Sequence, residues 1–441
     1  MNEKYELTEE FKEIETLREG WLQKIKVYRI RALRAFADVK IGDLGGFVET
    51  KQNLSNMGNA WVCDNARVYG NAEVYGDAEV YGDAKVYGDA RVCNNARVCD
   101  NAEVYGDARV CNNARVCDNA EVYDNARVCG DAKVCNNARV YGNARVCDNA
   151  EVYGDARVCD NAWVRDNAWV CGDARVCGDA KVCNNARVYG NARVCDNAKV
   201  YGNAELYGNA GVYGNAKVYG DARVCDNAEV YGDARVCDNA WVRDNAWVCG
   251  DARVCGDAKV YGNAELYGNA ELYGNAGVYG NAKVYGDARV CDNAEVYGDA
   301  RVCDNAWVRD NAWVCGDARV CGDAKVCNNA RVYGNARVCD NAKVYGNAEV
   351  CGDAKVCDNA NIFWCSSIGS RHATTTMFRN EDNGITVTCG CFMGTLEEFA
   401  GIVEKEHGEN IFGKEYKLLI ELAKIHFGLQ DETKGEEENG I

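Results

Sequence analysis

Cysteine and histidine are the residues in this chain with the most obvious capacity for chemistry, and they are distributed very unevenly. There are 28 cysteines and three histidines among 441 residues. Twenty-five of the cysteines, Cys63 through Cys357, recur at multiples of six residues. All three histidines, His372, His407 and His426, fall after them. Some cysteines also stand at steps of 18, as in Cys93, Cys111, Cys129 and Cys147, or Cys303, Cys321, Cys339 and Cys357. Thiols brought together by such a period have the donor chemistry of soft metal ligands. The simpler reading is a column of free thiols, because the same slot holds tyrosine elsewhere and the two codons differ by one base. Near the C-terminus Cys365, His372, Cys389 and Cys391 have the residue types of a zinc site, although Cys-Gly-Cys is poor spacing for one. Packed or free cysteines are the alternative there. Ser367, Ser370, His372 and Cys391 include the nucleophile and base types of covalent catalysis, but no spacing ties them together. No catalytic residue and no cofactor is assigned from these patterns.

What positions the thiols is a repeat. Alanine falls at Ala60, Ala66 and every sixth position to Ala360, fifty-one units in all. Two residues after each alanine stands an aliphatic side chain, from Val62 to Ile362, with Leu206, Leu266 and Leu272 as the other variants. The unit reads Asn/Asp, Ala, charged, Val, Tyr/Cys, then Gly, Asp or Asn. Small, polar, aliphatic, polar is a period of two, which turns Ala and Val to one side of a strand and their neighbours outward. The next two residues are turn formers that tolerate positive φ. A four-residue strand and a two-residue corner, repeated without a slip, coil back on themselves. Three sides make a triangular turn of 18 residues, stacked at about 4.8 Å, so 17 turns span roughly 80 Å.

This run, with pairs such as Val68 and Ala72 or Val74 and Ala78, resembles the hexapeptide-repeat left-handed parallel β-helix. The resemblance covers about two-thirds of the chain. It departs in the residue after the aliphatic one, Tyr or Cys here where that family has a small or acidic residue. The best-known enzymes of that family are trimeric acyltransferases with a histidine base in a cleft between neighbours, and others are carbonic anhydrases with three histidines on zinc. Neither histidine set has a counterpart between Ala60 and Ala360. The Gly42-Asp-Leu-Gly-Gly-Phe47 start and the Cys391-Phe-Met-Gly-Thr-Leu-Glu-Glu-Phe399 end resemble bacterial and prophage hexapeptide proteins labelled transferases by repeat alone, a likeness that carries no activity.

The expected architecture is therefore an all-β solenoid of about 17 triangular coils with four regions. Residues 1–59 form an N-terminal helix, from Leu7 to about Gln23, and a capping coil. Residues 60–362 are the left-handed β-helix. Residues 363–430 make a small α/β domain, with strands at Ala373–Phe378 and Ile385–Cys391. Its first helix opens on the capping box Thr395–Glu398 and its second runs from about Phe412 to Phe427. Residues 431–441 are an acidic disordered tail.

Charge and composition narrow the partners. The net charge of −18 argues against nucleic-acid and anionic-membrane ligands. Outward Arg and Lys between acidic corners also argue against a uniformly negative DNA mimic, the decoy of a DNA-binding protein. The repeat contains no Thr, which excludes the threonine arrays of ice binding. No apolar run reaches membrane-spanning length and the N-terminus has no secretory pattern, so a reducing cytoplasm is the expected location. The block Ala162-Trp-Val-Arg-Asp-Asn-Ala-Trp169 recurs at Ala240 and Ala306, at offsets that place consecutive copies on different faces. That favours a structural rod or spacer over a binding wall. Outward aromatics such as Trp163 and Trp241 suit lateral association, and the resemblance implies a homotrimer. The expected partner is a protein, met through the C-terminal domain or by self-association, with an acyltransferase-like enzyme as the rival reading.

Overall fold

The computed structural model describes residues 3–18, 20–357, 362–380 and 382–429. The expected acidic tail from Asp431 to Ile441 and the last repeat alanine, Ala360, lie outside the described residues. The hexapeptide stretch is a β-solenoid of about 17 parallel coils. It is divided between two compact units, Met1–Asp233 and Ala234–Ile441.

In the first unit the coil strands pair in parallel with those 18 residues on, as Arg97 with Arg115 and Val98 with Val116. Backbone hydrogen bonds run from coil to coil, for example Arg97 N–H to the Ala114 carbonyl and Cys99 N–H to that of Val116, both 2.9 Å. Most rungs hold strand geometry over only two residues, as at Arg97–Val98 and Glu103–Val104, not the four expected. The cause is the corner residue that follows the Tyr/Cys slot. It lies in the left-handed region whether it is Gly70, Asp64 or Asn94. Only Gly, Asp and Asn adopt that conformation readily, which is why nothing else occupies the position.

Repeat alanines and aliphatics such as Ala96, Val98, Ala144 and Val146 are completely buried. Each valine contributes roughly 1.5–3 kcal/mol by leaving water. The slot side chains alternate with the buried valines as expected and are mostly half-buried against the next coil, with Tyr75 exposed at 36%, while Tyr69, at 6%, is also covered by Val27 and Phe47 of the N-terminal segment. Tyr69, Tyr87, Tyr105, Tyr123 and Tyr141 form one continuous stack, with ring centroids 4.9–5.0 Å apart and planes within 4°. The next corner position forms a second ladder. Asn95 donates to Asn113, which donates to Asp131, and Asn119, Asn137 and Asp155 repeat the pattern. Asn both donates and accepts through its amide, whereas Asp only accepts, so these two runs stop at Asp131 and Asp155. Outward charges pair between coils too, as Lys85 with Glu103 and Lys133 with Glu151.

The open end of a coil stack exposes unpaired backbone groups. Where a helix was expected over residues 7–23, the N-terminal segment instead makes an antiparallel hairpin of β1 (Tyr5–Arg18) and β2 (Trp21–Ala32), turning at Gly20. The helical spacing of Leu7, Phe11, Ile14 and Leu17 was outweighed by the cross-strand match of Ile14 with Ile25 and Leu17 with Leu22. β3 (Leu44–Val48) then leads into the coils in parallel register with Arg67 and Val68. Side chains satisfy the remaining edge. The Asn53 amide donates to the carbonyls of Gly70 and Ala72, and the buried Lys4 ammonium to that of Ala60.

In the second unit the coils follow the same register, as Arg289 with Trp307 and Val290 with Val308. The Trp241 and Trp307 copies of the tryptophan block stand on different sheets, as their offset requires. Residues 362–395 then form a four-stranded antiparallel sheet, Ile362–Ile368, Ala373–Arg379, Ile385–Cys389 and Phe392–Thr395, in sequential order. The two inner strands match the sequence expectation, while the outer two were not expected. One face of this sheet closes the last coils. Thr376 accepts the Glu349 N–H at 2.9 Å, and Thr388 donates to the Glu349 carbonyl at 3.3 Å. Against the other face pack helices α1 (Leu396–His407) and α2 (Ile411–His426). The Thr395–Glu398 capping box is present, and Tyr416, Leu419, Ile420 and Ala423 are buried as their spacing predicts.

Candidate functional site

Outside the coils, the C-terminal sheet and helices bring together the only histidines of the chain, three cysteines and an uncovered apolar surface. The inward face of α2 joins Met377, Val387, Phe399 and Val403 in one core. Its opposite face is apolar as well. Ile411, Leu418, Leu422 and Ile425 are 55–69% exposed, and Leu429 follows at 40%. Within the helix the steps from Ile411 to Leu418, Leu422 and Ile425 are seven, four and three residues, the spacing of a coiled-coil seam, and Leu429 lies just past its end. A helix apolar on both sides normally has protein on both sides. The sequence already carried this signal, since Ile and Leu fall on every side of α2, but attention to the core face alone passes over it.

The expected zinc candidates do not converge as one set. Cys365, on the outer strand Ile362–Ile368, and Cys389, on the inner strand Ile385–Cys389, flank Thr375, which pairs with both. Thr375 donates its hydroxyl to the Cys389 sulfur at 3.1 Å, and Cys389 also lies 3.7 Å from the Tyr416 hydroxyl. Burial, and then that contact, push the Tyr416 phenol above its ordinary pKa. Cys391 is exposed beyond the turn at Gly390 and takes a hydrogen bond from Arg371 at 3.5 Å. His372 sits in the Gly369 turn with φ of 48°. Of the serines, Ser366 bonds Thr374 at 2.9 Å, while Ser367 occupies a left-handed bulge. The other two histidines pack on aromatic rings, His407 against Tyr416 and His426 against Phe363. His426 and Phe363 also line a surface pocket with Lys343, Tyr345, Ile362 and Trp364.

In the coils the 18-residue cysteine columns exist as the spacing predicts. Cys177 and Cys195 approach to 3.0 Å between sulfurs and Cys339 and Cys357 to 2.7 Å, while Cys237 and Cys255 are joined as a disulfide. The tryptophans are partly covered by cations from adjoining coils. Arg145 and Lys181 lie 4.8 and 5.3 Å from the Trp163 ring, and Arg289 and Lys325 lie 5.2 and 5.3 Å from that of Trp307.

Among known families, the YdcK β-solenoid repeat matches residues 132–148, 180–196, 186–202, 324–340 and 330–346. No curated protein sequence matches the chain. Among solved structures, the UDP-N-acetylglucosamine acyltransferase of Francisella novicida is similar at 15% identity with a TM-score of 0.23, over 40% of this chain and 66% of that one. The Arabidopsis enzyme of the same name is similar at 10% identity and a TM-score of 0.13, over 51% of this chain and 67% of that one. The chain thus spans about two-thirds of the length of each, and likeness at this level carries no statement about activity. The unbroken six-residue period and the 18-residue parallel register show a hexapeptide-repeat β-solenoid fold, and the matched stretches of its coils are similar to the YdcK repeat.

Proposed function

We propose that this protein is a non-catalytic structural spacer whose binding end is the C-terminal region, and that the outer face of α2 is where it meets protein. The observation that carries the reading is the exposed Ile411, Leu418, Leu422 and Ile425 seam of α2. Its seven-four-three spacing fits another helix, and α2 of a second copy offers the same seam, so the occupant is a second copy of this chain. The capping work of the C-terminal sheet is done by Thr376 and Thr388 on its other face. The helix face is therefore not needed to close the coils. The acyltransferase reading is weaker, because the histidines lie in turns and ring stacks of the C-terminal region and not along a coil wall.

Sedimentation equilibrium of the full chain tests this, compared with the double substitution Leu418→Lys and Leu422→Lys. Both positions are mostly exposed, so the variant should fold. We expect a concentration-dependent oligomer in the parent chain and a monomer in the variant. A parent chain that stays monomeric throughout, or a variant that associates equally well, would remove the seam from the argument.

A further inference from the structure

Six cysteine pairs in the coils have a cysteine, the aspartate that follows it, and the cysteine 18 residues on, and in all but Cys99, Asp100 and Cys117 the three ligand atoms cluster. Among the described residues the clustered triads are Cys117, Asp118 and Cys135; Cys159, Asp160 and Cys177; Cys237, Asp238 and Cys255; Cys303, Asp304 and Cys321; and Cys339, Asp340 and Cys357. In each triad the two sulfurs and one carboxylate oxygen lie within 4.8 Å of one another. The last two triads form one column of four thiols and two carboxylates in the second unit. We propose that this Cys303–Cys321–Cys339–Cys357 column, with Asp304 and Asp340, binds thiophilic divalent d10 cations, one per triad, with zinc and cadmium as the fitting class.

The geometry is close to what such an ion needs. A tetrahedral cation at about 2.3 Å from each sulfur sets the two sulfurs about 3.8 Å apart. Cys339 and Cys357 stand at 2.7 Å and must part by about 1 Å, which a small side-chain rotation supplies. Cys237 and Cys255, 4.7 Å apart at Cα, are bonded to each other, so side chains in this register do turn towards one another. The carboxylate is held in place before any ion arrives. Asp304 accepts the Gly322 backbone N–H at 3.2 Å and faces the Cys303 thiol at 3.5 Å. Asp160 and Asp238 are held in the same way by Gly178 and Gly256. Each divalent ion would take two thiolates and one carboxylate oxygen, with water completing the shell. The two thiol protons leave to solvent, so binding is coupled to release of about two protons per ion.

The chain contains its own control. Cys93, Cys111, Cys129 and Cys147 form another four-thiol column, but Asn94, Asn112 and Gly130 stand where the aspartates would be. No triad includes any of these four cysteines among the described residues. The test is equilibrium dialysis of fully reduced, full-length protein with cadmium at neutral pH against a competing chelator. Thiolate-to-cadmium ultraviolet absorption and proton release are read in parallel. The parent chain is compared with a quadruple serine variant of each column and with Asp304→Asn together with Asp340→Asn. The Asn pair keeps every thiol and should fold, since Asn94 and Asn112 occupy the same corner position. We expect five tightly held ions, falling to three in the Cys303-column serine variant and staying at five in the Cys93-column variant. In the Asn pair, two of the five should weaken at least tenfold while the thermal melt is unchanged. Equal losses from the two serine variants, or an Asn pair that binds like the parent, would show that bare thiol density is at work and overturn the proposal. So would cadmium binding no tighter than that of a small-molecule dithiol.

Discussion

Val146 is the most informative residue to perturb, because the whole coil model rests on which way the repeat valine points. It is completely buried, stacked between Val128 and Val164 of the coils on either side. Val146→Ala removes the equivalent of two methylenes, about 1.6 kcal/mol of transfer free energy, with a cavity contribution that brings the loss to about 2–3 kcal/mol. Val146→Asp loses a similar amount and also buries a carboxyl with no partner. Keeping that group neutral at pH 7, against an ordinary pKa near 4, costs about 4 kcal/mol more. The total of about 6–7 kcal/mol is comparable to the stability of a whole small domain. Coils contact only their neighbours, so the damage should be confined to nearby turns. Hydrogen exchange read by mass spectrometry should show lost protection in peptides around residues 120–170, with peptides near residue 70 still protected. The sign of the pH effect is also fixed. A carboxyl whose folded pKa is raised stabilises, relative to its charged state, only below the unfolded value near 4, and loses that as pH rises. Val146→Asp should therefore approach Val146→Ala in stability near pH 4. An Asp variant that keeps parental protection and melting at pH 7 would mean that the valine faces solvent, and the register given above would fall.

Three further outcomes follow from the same geometry. Deleting Arg115–Ala132, one full turn, should leave the solenoid folded and let Tyr105 stack on Tyr141, whereas deleting Arg115–Ala120 should set Tyr105 against Cys129 and break the stack. Near-ultraviolet circular dichroism should distinguish the two, with the stacked-tyrosine signal kept in the first and reduced in the second. Alkaline titration should destabilise the coils: burial first of all pushes the thiol of Cys63 and the phenol of Tyr69 up to about 12. Groups with raised folded pKa values give stability that is whole below the unfolded values near 9 and 10 and is lost above them, so the melting temperature should fall from about pH 9 upward; a flat profile to pH 11 would contradict the packed slot. Finally, Thr376→Val together with Thr388→Val leaves the Glu349 backbone N–H and carbonyl without these partners. It should cost about 2–4 kcal/mol, seen as early exchange at the last coils before any change near residue 250; uniform melting would place the cap's contribution elsewhere.

Legibility in this sequence follows the range of the interactions concerned. The coil was readable because every determinant lies within six residues: buried Ala and Val, a slot, and a corner that only Gly, Asp or Asn can turn. The thiol columns followed from the same arithmetic at 18 residues, since register in a solenoid is set by counting. What the count cannot give is what covers the outward side chains. The slot residue was read as outward from strand alternation, and most slot residues are half-buried along their columns. Tyr69 is buried because it stacks on Tyr87 and lies under Val27 and Phe47 of the N-terminal segment. The carboxylate members of the triads were missed for a related reason. Asp304 was read as a corner former, and its second role depends on a left-handed backbone that points its side chain along the coil axis towards Gly322. At the ends the local signal was ambiguous. Leu7, Phe11, Ile14 and Leu17 satisfy a helix in isolation, and only the pairing of Ile14 with Ile25, across a glycine turn, selects the hairpin. The exposed seam of α2 belongs to the same class, visible as residues yet meaningful only once the sheet has occupied the opposite face. A solenoid thus separates two kinds of information: its length and columns are written locally and repeatedly, while its ends, where binding is proposed, are written once and across long separations. The experiments on Leu418 and Leu422 and on Asp304 and Asp340 bear on the residues for which counting was not enough.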